Sequence, residues 1–173
     1  MLSTLNSPTL NSLMTPHQIQ LIRQTFALIE PRAELTALVF YQRLFALDPS
    51  LRPLFRANID EQGQKLMQML GVAVALLEQP FALVPALEAL GRRHGGYGVE
   101  ARHYDTVGEA LLGTLAECLG DAFTGEVMDA WAALYAIVTR AMQRGAADAC
   151  IRLPHPAAMA VADSTHDSDR FQV

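Results

Sequence analysis

The sequence predicts an all-α fold, and three observations carry that prediction. Apolar residues recur at spacings of three and four along six successive segments. No segment alternates with period two between turn signals, as a half-buried strand would. Proline or glycine stands where each helical pattern stops. At 173 residues one domain is expected, and a chain of that size buries roughly two-thirds of its unfolded surface without disulfide staples. Cys118 and Cys150 form no metal-type spacing and are expected to stay thiols.

Residues 1–14 carry Ser, Thr, Asn and Leu without a period and read as a flexible arm. Thr15, Pro16 and Gln18 combine an N-cap, a proline in the first turn and a capping-box partner. Ile19, Ile22, Phe26 and Ile29 give that first helix its buried face. Pro31 breaks it, and a second helix follows on Leu35, Leu38, Tyr41 and Phe45, closing at Asp48-Pro49. Tyr41 lies on the apolar side. Its hydroxyl either snorkels to the surface or finds a polar partner or ligand, because burying it unpaired costs about 1–3 kcal/mol.

After the proline-bounded LRPLF, which presents Phe55, the longest clean period runs through Leu66, Met69, Leu70, Ala73, Val74 and Leu77. Extended back one turn, the stripe reaches Gln62, so a glutamine heads an apolar face. A half-exposed residue of the first turn is its ordinary reading. Gln79-Pro80 is the expected end of this helix. Val107, Leu111, Leu115 and Cys118 mark a fifth helix that stops at Gly120. Thr124 caps a last one on Val127, Trp131, Leu134, Val138 and Met142, running to Gly145. Residues 146–173 lose the period and read as a disordered tail, with Cys150, Ile151 and Leu153 able to extend the last helix.

The fourth helix carries the stretch LEALGRRHGGYGV. Leu83, Leu87, Leu90 and His94 share one inward face, and Gly95 and Gly96 follow where a helix commonly ends in a left-handed residue. A single histidine on an apolar face is more often a core residue bonded to a backbone carbonyl than a metal ligand, although imidazole is the commonest metal-ligating side chain. His17, His103, His155 and His166 stand in polar contexts and take no ligand role.

Net charge is −5 and the arginines are scattered, which disfavours nucleic acid and anionic membranes as partners. MLSTLNSPTLNSLM has no basic n-region, and no stretch reaches the ~20 apolar residues of a membrane span. A cytoplasmic protein is expected.

The pieces LFALDPSLRPLF, KLMQMLGVAVALL, LGRRHGGYGV, HYDTVGEALLGTL and DAWAALYAIV, in this order and spacing, resemble the globin family over roughly Thr15 to Gly145. The likeness is to bacterial single-domain globins and the globin domain of flavohaemoglobins, and also to neuroglobin. It implies a three-over-three helical sandwich enclosing haem b. It makes His94 the proximal iron ligand, Phe55 the aromatic wedged against the haem plane and Pro49 the opening of the short third helix. Tyr41 and Gln62 fall on distal positions, with Leu66 one turn on. Leu90, Val99, Tyr104 and Val107 fall among the residues around the cofactor. Lys65 could swing in as a nitrogen ligand only after losing its proton.

The resemblance further implies reversible binding of dioxygen, carbon monoxide and nitric oxide for storage, transport or scavenging. Its alternatives are nitric oxide dioxygenation and redox or gas sensing. Iron bound by His94 keeps a sixth position open, and donors opposite it make charge-assisted bonds to a ligand of partial superoxide character. Gln62 argues against internal six-coordination, since an amide is a poor iron ligand, whereas Tyr41 as phenolate on ferric iron is a second possibility. Flavohaemoglobins carry a reductase domain after the globin, so a separate reductase is expected. They also place a carboxylate on the last helix where counting from Trp131 gives Ala146, which weakens the case for peroxidase-like chemistry.

Overall fold

Thr15 caps the first helix of the computed structural model, which describes residues 14–55, 58–96 and 99–152. The Thr15 side chain accepts from the Gln18 backbone and the Gln18 side chain accepts from Thr15, closing the expected capping box on α1, Pro16–Ile29. A 3₁₀ turn, Glu30–Arg32, takes up the break at Pro31 and leads into α2, Ala33–Leu47. A second 3₁₀ turn, Pro49–Leu54, is opened by Asp48, whose carboxylate accepts from the Ser50 backbone and hydroxyl. There follow α3, Ile59–Ala75; α4, Pro80–Gly95; α5, Ala101–Leu119; and α6, Gly125–Arg152.

α1, α3 and α4 form one layer over α2, α5 and α6. The layers are pinned at one end by Trp131, 1% exposed, whose indole N–H donates to Thr25 Oγ1 at 3.0 Å. Thr25 in turn donates to the carbonyls of Leu21 and Ile22, so a polar pair deep between α1 and α6 is fully satisfied. At the other end α4 packs chiefly on α6, and α3 packs on α2 and α1. Among the described residues α3 and α4 hardly pack on each other. The facing sides of α3 and α4 are therefore where a cleft is inferred.

Several expected faces hold. Ile19, Ile22, Phe26 and Ile29 are buried on α1, and Val127, Trp131, Leu134 and Met142 on α6. The face of α2 differs: Leu35 and Leu38 are exposed, and Thr36, Ala37, Phe40, Tyr41 and Leu44 are buried instead. Apolar residues fall on more than one side of that helix, so period alone could not choose the face, and packing against α3 and α5 chose it. On α3, Met69 is exposed while Met67 is buried, and the helix stops at Ala75, four residues before the expected Gln79.

The glycines at helix ends act differently from expectation. Gly95 is helical and Gly96 has φ −66 and ψ −16, so neither is left-handed; among the described residues Gly120 is the glycine with positive φ, at +54. Gly145 does not end α6, which continues to Arg152, through the first residues assigned to the tail. What Gly145 provides is room. A Cβ on it would lie 2.0 Å from the Glu88 carbonyl, and one on Gly91 would lie 1.9 Å from the Met142 carbonyl. α4 and α6 therefore cross backbone to backbone. Met14, assigned to the arm, is buried in the core. The remaining residues of arm and tail, 1–13 and 153–173, lie outside the described residues.

Candidate functional site

His94 occupies the last turn of α4, half-buried, with Nδ1 3.0 Å from the carbonyl of Leu90. A carbonyl only accepts, so Nδ1 carries a proton and donates. The carbonyl partner expected of an ordinary core histidine is present, and it also sets the tautomer in which Nε2 binds a metal. The close crossing at Gly91, one turn earlier, holds this turn of α4 at a fixed distance from α6.

The opposite wall is set by α2 and α3. A Cβ on Gly63 would lie 2.8 Å from the Cβ of Ala37, so these helices touch closely there. Tyr41 is one turn on from Ala37, and Gln62 precedes Gly63, so one crossing positions both residues. Tyr41 is 5% exposed, and burial pushes its phenol up to about 12. Its hydroxyl makes no hydrogen bond among the described residues. Its ring meets Phe40 at 5.1 Å, Phe55 at 5.3 Å and Phe45 at 5.8 Å between centroids. Phe45 and Phe55 are themselves edge to face at 5.5 Å, with the Arg52 guanidinium over Phe45 at 5.2 Å.

Two apolar clusters divide the interior. The larger contains Tyr41, with Phe45, Phe55, Leu66, Leu70 and Val107 half-buried against it. The smaller contains Leu87, Tyr104 and Met142, with Leu90 and Val99 half-buried against it, and Val138 packs on both. The half-buried residues around Tyr41 and those around the His94 helix thus fall in two clusters, the second also taking in Ala73 and Leu76 from the end of α3. Such side chains, with an imidazole nitrogen on one wall and a buried phenol on the other, form a donor set that fits a flat, largely apolar group with a metal at its centre.

Of the residues singled out in the sequence, Tyr41 and Phe55 touch directly, Leu66 and Val107 join their cluster, and Leu90, Val99 and Tyr104 join that of the His94 helix. Gln62 is half-buried in the first turn of α3, and Lys65 is exposed. Phe45 was read only as part of a helix face, although its place four residues after Tyr41 puts it on the same side. The Tyr135 hydroxyl donates to the backbone carbonyl of Tyr104, and burial raises its phenol to about 12. His103, read as polar, is buried: Nδ1 accepts from the Glu100 N–H at 3.0 Å and starts α5. Its signal was its place three residues after an acidic N-cap. Ala146 lies against the α4 exit, its Cβ 3.3 Å from where a Cβ on Gly95 would stand.

Sequence comparison agrees with this class of fold. The globin family matches residues 38–142, and the chain belongs to that family. It is similar to the flavohemoprotein of Bordetella parapertussis, 35% identical over 127 residues, which is 71% of this chain and 31% of that protein. The flavohemoprotein of Xylella fastidiosa is 33% identical over 124 residues, 70% of this chain and again 31% of the relative. The chain therefore spans under a third of the curated relatives it matches.

Among solved structures, a hexacoordinated heme protein from an anhydrobiotic tardigrade superposes with a TM-score of 0.69 at 17% identity, covering 76% of this chain and 94% of the other. A flavohemoglobin from Malassezia yamatoensis, with bound FAD and heme, gives 0.65 at 24% identity over 78% of this chain and 37% of its own. At those identities the likeness shows the fold. No helix among the described residues is long and apolar enough to cross a membrane.

Proposed function

We propose that this globin holds haem b between α3 and α4, with His94 Nε2 on the iron, and reversibly binds dioxygen, carbon monoxide and nitric oxide on the face towards Tyr41. The observation that carries the reading is the Nδ1 to Leu90 hydrogen bond, which presets the ligating tautomer beside half-buried apolar walls. Haem bound there supplies a ferrous iron with one position open to a diatomic ligand. Phe55 would pack against the ring, Leu66 of α3 and Val107 of α5 would keep water from the Tyr41 side, and Leu90, Val99 and Tyr104 would close the His94 side.

Tyr41 Oη–H and a Gln62 amide N–H are the donors for a ligand gaining negative charge. With no ligand bound, burial pushes the phenol up to about 12, so Tyr41 keeps its proton at physiological pH and can donate it, with phenolate ligation of ferric iron as the second possibility. Lys65, exposed and charged, stays in solvent. High dioxygen affinity with slow release follows, in a storage, transport or scavenging role.

A second reading, nitric oxide dioxygenation, is favoured by the 33–35% identity to flavohemoproteins. There one nitric oxide and one dioxygen give nitrate, and an external reductase returns one electron per turnover. Ala146 stands in the place the resemblance gives to a carboxylate, which weakens the case for peroxidase-like chemistry. Redox or gas sensing is the third.

The experiment is the visible spectrum of the purified chain, ferric, then reduced, then exposed to carbon monoxide. A five-coordinate ferrous spectrum that shifts with carbon monoxide, and its loss in His94→Ala with return on added imidazole, supports the site. A six-coordinate ferrous spectrum sinks the open position, and no haem band sinks the cofactor. Turnover of nitric oxide with added reductases separates the enzyme from the binder.

A further inference from the structure

We propose that the last turn of α4 is a docking surface for an acidic one-electron donor protein, an inference that rests on the haem reading above. The chain carries a formal charge of −5, yet two consecutive arginines, Arg92 and Arg93, immediately precede His94 in the last turn of α4. Both are exposed, and neither makes an ion pair among the described residues. The recorded bond from this pair is internal to the helix, Arg93 Nε to the Ala89 carbonyl at 3.5 Å.

The neighbouring charges are otherwise engaged. Glu88, one turn before Arg92, faces Arg144 at 3.5 Å, and Arg102 pairs with Glu100 at 2.7 Å. Arg92 and Arg93 thus present two exposed positive charges on an acidic protein. Gly95 and Gly96, both exposed, carry no side chains to hold a partner off the same turn. Electron transfer slows steeply with separation, so a donor seated here approaches the cofactor by its His94 side. Charge complementarity would steer an acidic partner to this turn and weaken with salt.

In the transfer step the anionic flavin hydroquinone of the donor loses one electron and becomes the neutral semiquinone, while the ferric iron becomes ferrous, with no proton exchanged between them. Arginines at a helix C-terminus also complement the last carbonyls. That role alone predicts lower thermal stability on their removal, and no discrimination between an acidic protein donor and a free flavin.

The test uses the haem-loaded chain with a soluble acidic flavodoxin as probe and free reduced lumiflavin, which carries no acidic protein surface, as control donor. Binding of oxidised flavodoxin is measured by calorimetry and reduction of the ferric protein by stopped flow, both at low ionic strength. For R92E/R93E the proposal expects at least tenfold weaker binding and tenfold slower reduction by flavodoxin, with the lumiflavin rate unchanged. R92K/R93K keeps both within about twofold, and the wild-type flavodoxin rate falls as salt rises.

The proposal is overturned if R92E/R93E matches wild type with flavodoxin, if Arg23→Glu on α1 loses as much, or if the lysine variant behaves like the glutamate one. Should R92E/R93E not fold, R92Q/R93Q takes its place with the same contrasts. A chain that takes up no haem shows it in the starting spectrum, before any donor is mixed, and that failure belongs to the haem reading.

Discussion

Tyr41 combines deep burial with a phenol that stays protonated, and each property has its own consequence. If Tyr41 and Gln62 each contribute ~1.5–3 kcal/mol to a charge-assisted bond, Tyr41→Phe and Gln62→Leu should each speed dioxygen dissociation by roughly tenfold to a hundredfold. Flash photolysis or stopped flow measures this, and unchanged rates in both variants would remove the donor assignment. The burial acts on stability. The phenol titrates near its ordinary 10.0 when unfolded and near 12 when folded. Below pH 10 both states hold the proton and nothing is lost. Between 10 and 12 the unfolded chain releases it first, so stability falls, by about 2–3 kcal/mol for a shift of this size. Denaturant midpoints from pH 9 to 12 should therefore drop less in Tyr41→Phe than in wild type, and parallel curves would contradict it. His94 and Tyr41 were both visible in the sequence as polar groups on apolar faces. Their partners were not, because the Leu90 carbonyl and the Phe45 and Phe55 rings are brought to them by backbone conformation and by a turn.

At the scale of the helix, two backbone contacts set the walls of the cleft. Replacing Gly91 or Gly145 by alanine would put a Cβ about 2 Å from a carbonyl oxygen of the facing helix, so α4 and α6 must separate. Overpacking of this kind costs about 3 kcal/mol or more where backbone has to move. Both variants should melt well below wild type. Gly91→Ala should also loosen haem, because His94 is one turn away; Gly120→Ala, strained at φ +54 with open space around it, should lower stability without touching haem retention. Haem transfer to an acceptor protein distinguishes them, and equal loss rates for Gly91→Ala and wild type would refute the coupling. The sequence shows these glycines plainly but invites a reading as helix stops. Their use as contact points depends on a helix that comes from far along the chain. The same limit explains α2. Its ends followed from local signals at Pro31 and Asp48-Pro49, whereas its buried face was decided by α3 and α5, and Leu35 and Leu38 were left outside.

In the whole molecule, the helices do not share stability evenly. α1 and α6 are joined through Trp131 and Thr25, and the larger apolar cluster runs through α1, α2, α3, α5 and α6. α4 contributes Leu83 and Leu87 to the smaller cluster and packs chiefly on α6. Among the described residues α3 enters the smaller cluster through Ala73 and Leu76, near its C-terminal end, so haem would join the remainder of α3 to α4, covering the half-buried Leu66, Val107, Leu90 and Val99 at once. Burial of apolar surface is worth ~25 cal/mol per Å², and a ligand that binds only the folded chain adds its binding free energy to the stability of the segments it bridges. Removing haem should therefore release α4 first. Amide exchange of the apo chain should lose most of its protection between Phe81 and His94, while α1 and α6 around Trp131 retain theirs. Adding haem back should restore α4 to the rate of its neighbours. If α4 in the apo chain exchanges as slowly as the Trp131 region, the two clusters hold together without a cofactor, and the cleft between α3 and α4 is not where the fold is completed.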